Sequence, residues 1–194
     1  MSDSAAPSAA PVPAPASPTV PITVAPEVLK AAFRRHAAGV AVVTADAGDG
    51  PIAMTISSLT SVSVDPAVLL FSVSAGTDTG RAMIRAATVV VHLLEGRDHD
   101  LAVRCATSGR DRFDGTIAWE RLATGEPSFS TPRVRLRGQV VQRSEVGEST
   151  VILLAVLDVL DHDDPPGPAA AASPGPLAYH DRAWHVLGPR SRIG

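Results

Sequence analysis

Apolar residues in this chain fall mainly into short β-branched runs, and only a few stretches carry helical spacing. The first such stretch opens at Pro26-Glu27, where Val28, Leu29, Ala32 and Phe33 recur at the helical period behind a proline suited to a first turn. Gly39 ends it. Val40-Ala41-Val42-Val43-Thr44 follows as an apolar run with no polar alternation, the pattern of a buried strand. The turn cluster Asp46-Ala47-Gly48-Asp49-Gly50-Pro51 leads into a second strand over 52–56. From Leu59 to Ser63 apolar and hydroxyl residues alternate at the strand period, Asp65-Pro66 turns the chain, and 68–73 reads as a core strand. Thr77-Asp78-Thr79 has the chemistry of a helix N-cap, and the spacing predicts a helix to about Ala87 with Ala82, Met83 and Ala86 on one face. A buried strand over 88–94 carries His92, a helix spans about 98–107, and 108–115 is rich in turn residues.

The second half is dominated by strands. Residues 134–141 read as half-exposed, 150–160 as central, and the chain closes with Leu177-Ala178-Tyr179-His180, a turn at Asp181-Arg182 and a strand over 183–187. The tally is six or seven strands broken by two or three short helices. Helices and strands do not alternate strictly, which disfavours a doubly wound parallel sheet and favours a mainly antiparallel barrel with helices packed outside.

Composition narrows the classes. A chain of 194 residues fits one domain, and 45% hydrophobic content excludes global disorder. A net charge of −3 excludes nucleic-acid binding by bulk electrostatics. The single cysteine, Cys105, excludes an internal disulfide or a thiolate zinc site. Residues 1–26 hold seven Pro, seven Ala and one charge, a composition expected to form a disordered tail ahead of a domain over 27–188, with 189–194 a flexible end. Five Pro and four consecutive Ala likewise mark 161–176 as a loop. No apolar run approaches the roughly 20 residues of a membrane span. No signal-peptide pattern opens the chain, so a cytoplasmic protein with no membrane or nucleic-acid partner is expected.

Candidate chemistry is sparse. No Gly-x-Ser-x-Gly is present, Cys105 sits in an apolar helical run as a structural thiol, and the six His show no metal-ligand spacing. Gly48-x-Gly50-x-x-Ala53 imitates a dinucleotide fingerprint but opens a strand, where that fingerprint must open a helix. What stands out is hydroxyl density, with ten Ser and Thr between Thr55 and Thr79. A wet strand face accounts for part of it. The pair Thr77 and Thr79 at a helix N-terminus, followed by Arg81 and Arg85, is also suited to holding a phosphate.

Five blocks in order resemble the flavin reductase-like, FMN-binding split-barrel family: 33–44, 54–66, 70–74 with Thr79, Asp111-Arg112-Phe113, and 176–185. The resemblance implies an antiparallel split β-barrel of Greek-key type, a homodimer, with flavin near the dimer interface. It places Met54, Thr55, Ser57, Ser58 and Thr60 along the flavin ring and ribityl chain. Ser72, Ser74, Thr77 and Thr79 fall toward the phosphate with Arg81 or Arg112 supplying charge, and Tyr179 and His180 where flavin and nicotinamide meet. The implied activity is hydride transfer from NADH or NADPH to FMN, or FAD, catalysed with His180 at the site. The reduced flavin would pass to a partner monooxygenase. Because the cofactors carry the difficult step, no triad or metal cluster is needed. The chain departs from the family pattern at Ser149, Ala155 and His92, where members often show His, Glu and Asn. The departures at Ser149 and Ala155 keep open a second reading, a split-barrel module that binds flavin or another planar cofactor without nicotinamide turnover.

Overall fold

The computed structural model describes residues 23–161 and 175–193. The tail expected over 1–26 therefore lies outside the described residues except for its last four, and the loop expected over 161–176 except at its ends. Seven strands form one antiparallel sheet in the order β3 (Pro51–Ile56), β2 (Ala41–Asp46), β6 (Thr88–Leu93), β9 (Val134–Val146), β10 (Ser149–Asp161), β5 (Val68–Ser74) and β4 (Thr60–Ser63). The edge strands β3 and β4 are consecutive in sequence. Between them Ser58 bridges to β5, its Oγ accepting from the Ser72 amide at 3.1 Å and donating to the Ser72 carbonyl at 3.2 Å.

The sheet curls, so that inward residues of five strands meet in one core. Val43, Ile56, Phe71, Val91 and Ile152 belong to it, covered by Met83 and Ala86 at the helix α2 (Asp78–Arg85). On the opposite face of the sheet, Val42 of β2 and Ala53 of β3 pack against Leu101, Ala102 and Cys105 of α3 (His99–Ala106), with Phe129 and Leu177. Lying between two cores, β2 is buried on both faces, which is why its sequence shows no alternation. A second sheet joins β1 (Ala38–Gly39), β11 (Leu177–His180) and β12 (Ala183–Val186), and a small hairpin joins β7 (Trp119–Arg121) to β8 (Pro127–Phe129).

This mainly β, antiparallel architecture with short helices is the fold class expected from the sequence. The expected tally falls short of the twelve strands among the described residues. β1, β7 and β8 have two or three residues each, too few to display a period. β9 also runs five residues beyond the expected Val141. In that extension Arg143 closes the end of α2, donating to the carbonyls of Ile84 and Ala86 at 2.6 Å each. The helix α1 (Pro26–Phe33) forms as its spacing predicts, yet none of its residues is buried, and Val28, Leu29 and Phe33 are each more than half exposed.

Candidate active site

Helix α2 begins where β5 ends, and its first turn is built for close approach. The Thr77 hydroxyl accepts from the Gly80 amide at 3.0 Å, as a cap should. Any Cβ on Gly80 would stand 2.0 Å from the Ser74 carbonyl, so only glycine lets the helix start against the strand. Arg81 folds back over this turn, donating to the Ala75 carbonyl at 3.0 Å and pairing with Asp78.

Arg112 arrives from the loop after α3. It donates to the Thr107 carbonyl at 3.2 Å and to the Thr79 hydroxyl at 3.4 Å, while its Nε is buried without a hydrogen-bond partner. Arg104, itself buried, pins that loop by donating to the Asp111 carbonyl at 3.1 Å and to the Asp114 carboxylate at 2.6 Å. The amide of Thr116, and next the Arg104 guanidinium, hold the Asp114 carboxyl down at about 2.

These groups form one end of a cavity of about 590 Å³ whose other walls are Met54 and Thr55 of β3 and Cys105 and Ala106 of α3. The Thr55 hydroxyl donates to the Ala102 carbonyl at 2.7 Å and so fixes the strand to the helix. Burial pushes the Cys105 thiol up to about 12, which removes it as a nucleophile at neutral pH. A smaller cavity of about 240 Å³ shares Thr55 and Ala106 and is walled by Ser57, Tyr179 and Trp184. The two rings meet edge to face at 4.9 Å. The shared walls make a single trough, cationic and hydroxyl-rich at one end and aromatic at the other.

Of the residues singled out in the sequence, Met54, Thr55, Thr77, Thr79, Arg81 and Arg112 come together in the larger cavity, and Ser57 and Tyr179 in the smaller. His180 lines a neighbouring cavity, with its ring 5.8 Å from that of His185. Ser58, Thr60, Ser72 and Ser74 line neither part of the trough. Ser58 and Ser72 are bonded to each other, Ser74 Oγ accepts from the Gly76 amide at 3.2 Å, and Thr60 is exposed. Sequence reasoning missed Ala106, Ser108, Gly109 and Trp184 as lining residues. Only Trp184 carried a signal, as an aromatic residue in the closing strand pair.

The residues present fit FMN. The orphaned Nε of Arg112 and the first turn of α2 offer donors to a phosphate, and the aromatic end offers flat apolar walls to a ring system. Among the described residues no group of three His, Cys, Asp or Glu is placed to hold a metal ion, and no helix is long and apolar enough to cross a membrane.

Comparison with known proteins follows the same line. The family model described as flavin reductase like domain matches residues 33–188. An NADH:FMN oxidoreductase of Rhodococcus qingshengii is 36% identical over 160 residues, covering 82% of this chain and 81% of the relative. The crystal structure of a flavin reductase domain protein from Arthrobacter sp. FB24 superposes with a TM-score of 0.74 at 27% identity, over 84% of this chain and 96% of that one. The flavin reductase component of a bacterial two-component tryptophan halogenase matches with a TM-score of 0.71 at 26% identity, over 84% of this chain and 99% of its own.

Proposed function

The chain belongs to the flavin reductase-like domain family, and on that premise we propose that it is an NAD(P)H-dependent oxidoreductase that reduces FMN in the trough between β3, α2 and α3. The carrying observation is the trough itself, in which a phosphate-suited end and an aromatic end share Thr55 and Ala106. When bound, the flavin and the nicotinamide supply the hydride chemistry, and the protein's part is to bind, orient and exclude water. Arg112, Arg81, Thr77 and Thr79 hold the phosphate. Met54 and Thr55 lie along the middle of the flavin, and Ser57, Tyr179 and Trp184 close the end where the two rings stack. Ser58 and Ser72 contribute through the backbone link that sets the course of β5, and Ser74 through the carbonyl under Gly80. His180 serves the donor side.

The Rhodococcus relative supports FMN as acceptor and NADH as donor, with FAD and NADPH the alternatives. The halogenase component supports release of reduced flavin to a separate oxygenase. A cytoplasmic location and a homodimer complete the proposal. The exposed Val28, Leu29 and Phe33 of α1, with Leu157 and Val159 of β10, offer apolar surface for a second copy.

Titrating purified protein with FMN and then adding NADH or NADPH anaerobically tests this reading. Bleaching of the flavin over many turnovers is expected, and FMN bound but unbleached by either nucleotide would overturn it.

A further inference from the structure

Beside the aromatic end of the trough lies another cavity, of about 330 Å³, between α1 and the β11–β12 turn. Ser57 and Tyr179 line both, so the two adjoin. Its charge runs against that of the molecule. The chain carries a net −3, yet Lys30, Arg34 and Arg182 line this cavity against the single carboxylate of Asp181. Lys30 is engaged with Glu27 at 2.9 Å. No hydrogen bond or ion pair engages either the Arg34 or the Arg182 guanidinium among the described residues. The amide of Asp181 donates to the Arg34 carbonyl at 3.2 Å, which ties the end of α1 to the turn and sets both guanidiniums on one rim.

The turn itself is strained. Asp181 and Arg182 have φ of 46° and 64°, the left-handed region at both central positions of a two-residue hairpin, where Asn-Gly is the relaxed choice. A bulky arginine held there is the kind of local strain that persists where the side chain has a task.

We propose that Arg34 and Arg182 grip the diphosphate of the nicotinamide dinucleotide donor. The inference rests on the function proposed above. If the nicotinamide ring reaches the aromatic end beside Tyr179, the diphosphate follows one ribose away, and the cavity that shares Tyr179 is where it falls. A guanidinium pair matches phosphate oxygens in fork geometry and meets no competing internal partner here. The phosphate-suited end at Arg112 lies at the opposite end of the trough and stays with the flavin.

The test compares Arg34→Ala, Arg182→Ala and the double variant with two donors, NADH and reduced nicotinamide riboside, which carries no phosphate. For the double variant the KM for NADH is expected to rise about 10–100-fold, the range for losing hydrogen bonds to charged groups. The kcat, the FMN dissociation constant and the riboside reaction should stay unchanged. Calorimetric titration with ADP-ribose, a diphosphate without nicotinamide, should show a matching loss of affinity. Arg182→Gly separates binding from folding, because relieving the positive φ should raise Tm while the KM for NADH still rises. Unchanged NADH KM and ADP-ribose affinity in the double variant, or an equal loss with the riboside, would overturn the assignment. A wild-type protein that reduces flavin with neither donor would instead sink the reductase reading, and the ADP-ribose titration would still decide what the cavity binds.

Discussion

His92 shows how much one side chain settles. Its Nδ1 lies 3.1 Å from the Val42 carbonyl and its Nε2 accepts from the Phe129 amide at 3.0 Å, so the ring is neutral and ties β6 to β2 and β8. Burial pushes its pKa down to about 4 from 6.5. Between those values the unfolded chain binds the extra proton and the folded one does not. The stabilisation is therefore complete above about pH 6.5 and is lost as pH falls toward 4, an effect on the order of 3 kcal/mol. His92→Asn should flatten the decline of Tm across that window. A decline as steep as in the wild type would assign it to other groups. Arg112 carries a prediction about binding. Arg112→Ala should weaken FMN about 10–100-fold and riboflavin hardly at all, because only the phosphate loses its donors. Equal losses measured by fluorescence titration would move the phosphate elsewhere. The sequence placed His92 in a core strand from its apolar neighbours. Its partner Phe129 stands 37 positions on, at a distance no local pattern reaches.

Among the elements, the start of α2 was the most legible. Thr77 caps it and Met83 and Ala86 face the core, as the spacing requires. The demand for glycine at position 80 was not legible, because it arises from the Ser74 carbonyl of a different element. Gly80→Ala should force α2 off β5 at a cost of about 1–3 kcal/mol, read as a lower Tm, and should weaken FMN through the displaced first turn. A variant with unchanged Tm and affinity would mean that the helix start tolerates the shift. The Arg104 pin on the Asp111–Asp114 loop was hidden for the same reason. Helix α1 presents the reverse case, since its period was plain but none of its apolar residues is buried among the described residues.

For the molecule as a whole, short β-branched runs without strict helix alternation were enough to indicate an antiparallel barrel, while the curl that joins five strands in one core emerges only from the pairing order. The apolar surface left on α1 and β10 belongs to this scale. Sedimentation should give twice the 20.0 kDa of one chain, and Leu157→Asp with Val159→Asp should shift the protein toward monomer. A wild-type monomer at micromolar concentration would remove the homodimer. The closing hairpin also has consequences in time. β11 is joined to the rest through two residues of β1 and bonds such as Val40 to Leu177 at 3.0 Å and Leu177 to Leu94 at 2.9 Å, all between chain segments far apart in sequence. β9 and β10 meet across a two-residue turn and can zip from it. Long-range pairings of few bonds form late and open first. The wall bearing Tyr179 and Trp184 should thus exchange its amide hydrogens faster than β2 or β10, opening and reclosing on an intact barrel, so that the aromatic end of the trough breathes while the end at Arg112 holds still.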